Sequence, residues 1–197
     1  MCPEGKYPAP TENPDYVIEC NGCGPKGMQI EEPFGLYRCC NQHDACFATC
    51  GTAAPFCERI FKQCMSKVCA EDHVGQIRED CERQATSMST MTGAFGGGFH
   101  LTSQRGDASS GRLGACDCHD DADAAERRWL DVFARFYREH GHPPMSDAAA
   151  REKARDVVRK NTGAKRGAAY FRALRKYNAT TLSSERLFAW DNVRAEL

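Results

Sequence analysis

The first half of the chain carries two stripes of apolar residues and cysteines at helical spacing. The first stripe has intervals of four, three and four residues, which is the spacing of one helix face: Cys39, His43, Cys46 and Cys50. The second stripe has the same intervals: Cys57, Phe61, Cys64 and Val68. The pattern predicts two helices joined by residues 53–55, with Gly51 in the C-cap position of the first.

The periodicity changes in the other parts of the chain. Residues 1–37 are rich in Gly and Pro, and we interpret them as an ordered loop. Residues 86–115 are rich in Ser, Thr and Gly, and we interpret them as a long flexible loop. Beyond residue 121 apolar positions return at helical spacing: Trp129, Val132, Phe133, Phe136, Tyr137, Ala168, Phe171, Leu174 and Tyr177. Ser146 is the expected N-cap of a helix that runs to about Asn161. The predicted class is mainly α.

The cysteines of the two predicted helices constrain how those helices pair. Cys39 and Cys46 are seven residues apart, and Cys57 and Cys64 are also seven residues apart. If the helices run antiparallel, one register brings Cys39 opposite Cys64 and Cys46 opposite Cys57. Neighbouring helices can then offer the Cα separation of less than about 7 Å that a disulfide requires. We predict both bridges, each adding about 2–4 kcal/mol of stability.

Cysteine and charge divide the chain near residue 120. All 13 cysteines lie at or before Cys118, a density typical of a disulfide scaffold or of a metal-binding module. Residues 1–120 carry 10 Lys/Arg and 16 Asp/Glu, a net charge of −6, whereas residues 121–197 carry 16 and 11, a net charge of +5. We predict a disulfide-rich domain over residues 1–120 and a basic helical extension over residues 121–197.

The antiparallel register also places a candidate catalytic residue at the interface between the two helices. His43 lies between Cys39 and Cys46, so it must point at the second helix, within a turn of Glu58. A buried His beside a carboxylate is a candidate general base. The simpler interpretation is a core His bonded to a neighbour. The adjacent Asp44 adds a second carboxylate next to the candidate base, which suggests a metal.

Three motifs give the sequence a specific resemblance. Residues 39–46 read C-C-N-Q-H-D-A-C and match the active-site signature of secreted phospholipases A2, C-C-x-x-H-D-x-C. Residues 57–64, C-E-R-I-F-K-Q-C, resemble the second-helix motif of that family, C-D-x(5)-C. Residues 21–24, N-G-C-G, resemble its calcium loop. With the C-D-C-H of residues 116–119, the chain resembles the group XII branch most, over residues 2–119.

The resemblance implies the fold and the reaction. The expected fold is the disulfide-rich phospholipase A2 fold, built on two antiparallel cross-linked helices, with the small helical region of residues 121–197 unmatched. The expected reaction is the calcium-dependent hydrolysis of the sn-2 ester of phospholipids. His43 takes the role of the general base that accepts the proton of the attacking water, and Glu58 takes the role of its carboxylate partner.

The resemblance also implies a calcium site. Calcium prefers hard oxygen ligands. The carboxylate of Asp44 would supply two of them, and the backbone carbonyls of Gly22, Gly24 and Lys26 would supply three. A Cys23–Cys40 disulfide, also implied by the resemblance, would anchor this loop beside Asp44. The partners of the other cysteines remain open: Cys2, Cys20, Cys50, Cys69, Cys81, Cys116 and Cys118.

Three positions differ from the family pattern. Lys26 stands where Gly is usual in the calcium loop, and Glu58 stands where the carboxylate partner is an Asp. Phe47 replaces a Tyr whose hydroxyl supports the His–carboxylate pair. Glu58 keeps the charge but reaches one methylene further, and Phe47 cannot donate a hydrogen bond. We expect a working enzyme whose activity can be low.

Two other classes of function remain open. The first is a zinc-binding module, because Cys20-x-x-Cys23 and Cys116-x-Cys118-His119 have ligand-like spacing. Zinc predicts many free thiols, whereas disulfides predict one or few. The second is a catalytically weak or inactive phospholipase-like scaffold that binds lipid or serves as a structural subunit of a complex.

Partners and compartment follow from the same features. The reaction implies contact with a phospholipid membrane surface. The basic helices of residues 121–197 are either solvated faces or a docking surface for an anionic bilayer or a protein partner; nucleic acid is disfavoured beside a disulfide domain. We expect a secreted protein or one in the lumen of the endomembrane system, where the sequon at Asn178 is usable. Residues 1–4 lack the features of a signal peptide, so we expect an export signal to be missing from this sequence or Met1 to be an addition.

Overall fold

The computed structural model describes residues 2–24 and 28–176. Across these residues the protein is mainly helical, as predicted, with a two-stranded antiparallel sheet. The elements in chain order are β1 (Tyr7–Pro10), α1 (Tyr37–Phe47), α2 (Ala54–Asp72), α3 (Gly75–Arg105), β2 (Cys116–His119), α4 (Ala122–His140), α5 (Asp147–Lys160) and α6 (Ala164–Lys176). Within the described ranges, no helix is long and apolar enough to cross a bilayer.

The two predicted cross-linked helices are α1 and α2. Disulfides join Cys39 to Cys64 and Cys46 to Cys57, with Cα atoms 5.6 and 5.7 Å apart. The register derived from the two seven-residue spacings is therefore confirmed. Gly51 does not cap α1, which ends at Phe47; it lies in the following turn with a φ of +74°.

The structure pairs the cysteines that the sequence left open. The bridges are Cys2–Cys118, Cys50–Cys116 and Cys69–Cys81, and the Cys23–Cys40 bridge implied by the resemblance is present. Among the described residues Cys20 is the one free thiol, and it is buried. Cys116 and Cys118 lie on β2, which pairs with β1 so that Tyr7 opposes His119 and Pro10 opposes Cys116. The N-terminal region, predicted as a loop, thus contains one short strand.

The prediction of a flexible loop over residues 86–115 is wrong for most of its length. Helix α3 continues to Arg105 and includes the triplet Gly96–Gly98. Its buried residues follow one face: Cys81, Ala85, Met88, Gly96, Ser103 and Gln104. Gly costs about 1 kcal/mol per residue in a helix relative to Ala. Packing of this face against α1 and α2 outweighs that intrinsic preference.

Side chains from elsewhere satisfy both ends of α1. At its start, the Glu32 carboxylate accepts hydrogen bonds from the backbone N–H groups of Leu36 and Tyr37, at 2.7 and 2.8 Å. At its end, the buried Gln104 amide donates to the carbonyl oxygen of Phe47 at 2.6 Å and accepts from the N–H of Gly51 at 2.8 Å. Terminal backbone groups of a buried helix need such partners. These contacts fix α1, which carries the candidate site.

The C-terminal helices pack on the Cys-rich part. The indole Nε1 of Trp129 donates to the carbonyl oxygen of Pro8 at 3.0 Å, and its ring lies against Gly51. One apolar cluster contains residues of both parts, including Cys46, Cys57, Trp129, Phe133 and Phe171. The predicted N-cap of α5 is confirmed, since Ser146 Oγ accepts from the N–H of Ala149 at 3.3 Å. The division at residue 120 into a disulfide-rich domain and a basic helical extension stays a prediction. Tyr177 and the sequon at Asn178 lie outside the described residues.

Candidate active site

A cavity of about 500 Å³ lies between α1, α3 and the loop that precedes α1. Four of the predicted site residues line it: Gly22, Gly24, His43 and Asp44. Glu58 lies behind His43. Lys26, the remaining predicted ligand, lies outside the described residues. The structure therefore brings together the described residues that the sequence assigned to one site.

His43 and Glu58 face one another across the two cross-linked helices. Nε2 of His43 lies 2.9 Å from Oε1 of Glu58. The His43 side chain is only 8% exposed, and its ring packs between Phe47 and Phe61, with ring centroids 4.1 and 4.6 Å away. The imidazole is thus held in place by two aromatic rings and one carboxylate.

A third residue completes this arrangement, and the sequence analysis missed it. The hydroxyl of Thr92 on α3 donates to Oε2 of Glu58 at 2.8 Å. Burial favours a neutral carboxyl, but the hydrogen bond and positive charge of His43, the hydrogen bond from Thr92 and the charge of His100 together outweigh it, so the pKa of Glu58 lies below its ordinary value. Glu58 is therefore ionised at neutral pH and can only accept hydrogen bonds. The signal that could have found Thr92 is the four-residue spacing of Met88, Thr92 and Gly96.

Asp44 lies on the other side of the site from this pair. Its Oδ2 accepts a hydrogen bond from the backbone N–H of Asn21 at 3.3 Å. Burial raises the pKa of the Asp44 carboxyl to about 7, against smaller opposing effects of that hydrogen bond and of the Arg112 charge. In the described part of the chain no cation lies within ion-pair distance of Asp44. A bound cation would supply the missing charge.

The loop beside Asp44 turns tightly and is tied to α1. Gly22 and Gly24 have φ values of +82° and +102°, a conformation that L side chains rarely adopt. A Cβ on Gly24 would lie 2.3 Å from the carbonyl oxygen of Met28, so the loop closes tightly at this point. Asn41 holds the loop, because its Oδ1 accepts from the N–H of Gly22 at 2.8 Å. The Cys23–Cys40 disulfide ties it to α1.

These residues fit a calcium ion. Among the described residues the Asp44 carboxylate has no ion-pair partner, and a carboxylate beside a tightly turned backbone loop can supply the hard oxygens that calcium prefers. No cluster of three His, Cys, Asp or Glu side chains exists among residues 2–24 and 28–176, so side chains alone do not form a metal site there. A calcium ion held beside Asp44 would need backbone carbonyl groups of the loop as further ligands.

Most of the side chains predicted to bind zinc are not available to a metal. Cys23, Cys116 and Cys118 are all bound in disulfides, so their thiolates are not available to a metal. Of the proposed set, Cys20 and His119 remain. Two side chains do not provide the four ligands of a structural zinc site.

The mouth of the cavity is apolar and exposed. Five large apolar residues line it and face solvent: Met28, Ile30, Met91, Phe95 and Phe99. Phe95 is 75% exposed and Met28 is 71% exposed. Exposed apolar clusters of this kind mark a site for a ligand, a membrane or a partner. We call these five residues the apolar rim.

Comparison with known proteins places most of the chain in one family. The model of the family described as "Group XII secretory phospholipase A2 precursor" matches residues 1–123. The chain is 32% identical to the Group XIIA secretory phospholipase A2 of Homo sapiens over 106 residues, which cover 50% of this chain and 52% of that protein.

Two mouse proteins are also similar. The chain is 36% identical to the Group XIIA secretory phospholipase A2 of Mus musculus over 73 residues, 36% of this chain and 38% of that protein. It is 28% identical to the Group XIIB secretory phospholipase A2-like protein of Mus musculus over 117 residues, 53% of this chain and 59% of that protein. The chain spans about half the length of the curated relatives it matches, and no solved structure matches.

Proposed function

The chain belongs to the group XII secretory phospholipase A2 family, and on that basis we propose that it hydrolyses the sn-2 ester of phospholipids in a calcium-dependent reaction. The single observation that carries the proposal is the contact of His43 Nε2 with Glu58 Oε1 at 2.9 Å, beside a cavity that Asp44 also lines. Family membership supports phospholipid hydrolysis in general. The roles of the individual residues are our proposal.

His43 is the proposed general base. Because Glu58 is ionised, it can only accept, so the proton between the two groups sits on Nε2 of His43. The lone pair is then on Nδ1, and Nδ1 accepts the proton of the attacking water. Glu58 stabilises the imidazolium that forms and keeps the ring in this tautomer.

Asp44 and the loop carbonyls are the proposed calcium ligands. The ligands are the carboxylate of Asp44 and the backbone carbonyls of Gly22, Gly24 and Lys26. When bound, calcium would supply a Lewis acid that polarises the ester carbonyl and stabilises the negative charge that develops on its oxygen. The ionised form of Asp44 then becomes the favoured form, because its charge is balanced.

The apolar rim is the proposed contact with the membrane. A phospholipid must leave the bilayer partly to reach His43, and exposed Phe and Met side chains at the cavity mouth reduce the cost of that transfer. The basic C-terminal helices remain a proposed docking surface for an anionic bilayer or a protein partner. The described residues form six disulfides, and such bridges form and persist mainly in oxidising compartments, which supports secretion or a lumenal location.

The experiment that tests the proposal measures fatty acid released from the sn-2 position of phospholipid vesicles. The parent protein is assayed with calcium and with a chelator, beside His43→Gln. We expect calcium-dependent release by the parent and a loss of at least about 100-fold in His43→Gln, with an unchanged melting temperature. Absence of calcium-dependent release from the correctly disulfide-bonded parent would contradict the enzyme proposal.

A second candidate function is lipid binding without catalysis. The apolar rim and the cavity favour it, because neither feature requires chemistry. One of the similar proteins is named a phospholipase A2-like protein. Vesicle binding by both parent and His43→Gln, with no hydrolysis by either, would establish this alternative.

A further inference from the structure

Glu58 is held from two sides, and the second contact comes from α3, which none of the sequence motifs covers. Oε1 lies 2.9 Å from His43 Nε2, and Oε2 accepts from Thr92 Oγ1 at 2.8 Å. We infer that Thr92 positions Glu58, and through it His43, for proton transfer, and that Gly96 preserves the space this arrangement requires. The inference rests on the function proposed above.

The Thr92 hydroxyl has two acceptors within reach but only one proton. The carbonyl oxygen of Ser89 lies 3.2 Å away, and Oε2 of Glu58 lies 2.8 Å away. The nearer acceptor is also charged, and charge-assisted hydrogen bonds are the stronger ones. The proton therefore points at Glu58.

A second anchor matters for a glutamate more than for an aspartate. Glu58 has one more rotatable bond than the family's Asp, so its carboxylate could turn about its own axis if only Oε1 were held. Phe47 stands where the family has a Tyr and offers no hydroxyl to Glu58. Thr92 supplies a hydroxyl donor from a different helix. Thr92 therefore makes a hydrogen bond to the carboxylate in place of the one lost with the family's Tyr hydroxyl.

Gly96 lies one helical turn after Thr92 on the same face of α3. A Cβ at this position would lie 3.1 Å from Oε1 of Glu58 and 3.4 Å from Cζ of Phe47. Moving Oε1 away would lengthen its contact with His43, and the Phe47 ring is packed against the same imidazole. Gly96 therefore leaves open the space into which an added Cβ would press on the longer carboxylate of Glu58.

The test compares removal of the Thr92 hydroxyl with removal of the Thr90 hydroxyl on the same helix. Thr92→Val keeps the shape and removes the donor, and Thr92→Ser keeps the donor. Thr90→Val is the matched control, because within residues 2–24 and 28–176 the Thr90 hydroxyl bonds to the carbonyl oxygen of Thr86 in its own helix, at 2.8 Å, and to no other group. We expect kcat to fall about 10-fold in Thr92→Val with KM nearly unchanged, since a hydrogen bond to a charged group is lost. We expect Thr92→Ser to restore most of kcat.

A second readout is independent of turnover. The ring nitrogens of His43 are observed by NMR in protein labelled with 15N histidine, without calcium. We expect the His43 signals to shift in Thr92→Val and to remain in place in Thr90→Val. If the parent hydrolyses no phospholipid, the proposed function fails, while this NMR comparison still decides whether Thr92 positions the pair.

Two results would overturn the inference. One is parental kcat with unshifted His43 signals in Thr92→Val; the other is an equal loss of kcat in Thr90→Val. In a Glu58→Ala background, Thr92→Val should have no further effect on kcat.

The role of Gly96 is tested by comparing Gly96→Ala with Gly97→Ala, because a Cβ added at Gly97 meets nothing within 4 Å. Gly96→Ala should lower kcat, whereas Gly97→Ala should not. If Thr92→Val does not fold, Thr92→Ala takes its place in the test.

Discussion

His43 on α1 and Glu58 on α2 lie 2.9 Å apart, between two disulfides that join the same two helices. The Cys39–Cys64 bridge lies on one side of the pair and the Cys46–Cys57 bridge on the other. Helices tied at two points cannot slide relative to one another. The distance between base and carboxylate is therefore fixed by covalent bonds as well as by packing.

The first prediction concerns the length of the carboxylate. Glu58→Asp restores the residue type usual in the family, but α2 is held by its disulfides and cannot approach α1. The shorter side chain then loses contact with His43 Nε2, with Thr92 Oγ1, or with both. We expect kcat for sn-2 ester hydrolysis to fall about 10-fold or more, with a similar melting temperature. A rate equal to or above that of the parent would contradict this geometry.

The second prediction concerns Asp44. In protein treated with chelator, the raised pKa of about 7 means that ionising Asp44 destabilises the fold. Its contribution to stability is complete below its ordinary pKa and is lost as the pH rises through about 7. Asp44→Asn should lack this decline between about pH 4 and 7 and should not bind calcium. Thermal melts across this pH range and calcium titration by calorimetry check both points, and calcium affinity equal to the parent's would refute the site.

The third prediction concerns the apolar rim. Phe95→Ala and Phe99→Ala remove exposed apolar area at the cavity mouth, so vesicle binding should weaken about 10-fold when both are changed. Val74→Ala is the control, because Val74 is 81% exposed but does not line the cavity. Sedimentation with phosphatidylcholine vesicles measures the binding. An equal loss in the control variant would show that the rim has no special role.

The fourth prediction concerns the disulfide beside the base. Replacing Cys46 and Cys57 together by Ala opens a bridge with a sequence separation of 11 residues. We expect the free energy of unfolding to fall by about 3 kcal/mol. The matched control is Cys69→Ala with Cys81→Ala, whose separation is 12 residues but which joins α2 to α3 and does not tie α1, the helix of His43. Denaturant titration should give similar losses for both pairs, whereas kcat should fall only when Cys46 and Cys57 are changed.

The fifth prediction concerns the C-terminal helices. A Cβ on Gly167 of α6 would lie 2.3 Å from the carbonyl carbon of Gly51, in the turn after α1. Gly167→Ala should therefore lower the melting temperature of the whole protein by several degrees. Gly93→Ala on α3, where nothing lies within 4 Å, should not lower it. Two separate thermal unfolding transitions, with Gly167→Ala lowering only the one that belongs to the residues after 120, would instead show that the two sides of residue 120 unfold independently.

The sequence by itself determined the part of the site that two helices define. Equal seven-residue spacings fixed the antiparallel register, and the register placed His43 opposite Ile60, within a turn of Glu58. Such a prediction succeeds because helical periodicity is a local property: four residues decide which face a side chain occupies. The motif of residues 39–46 and the loop glycines then indicated the chemistry.

Only the tertiary structure decided what α3 contributes. Ser, Thr and Gly at residues 86–105 have weak or unfavourable helix propensity, so a local analysis assigns them to a loop. They are helical because one face of α3 is buried against α1 and α2, where Thr92 meets Glu58 and Gly96 leaves room for it. The partners of Cys2, Cys50 and Cys69 were open for the same reason. Burial between segments distant in the chain is a property of the folded whole, and no local spacing encodes it.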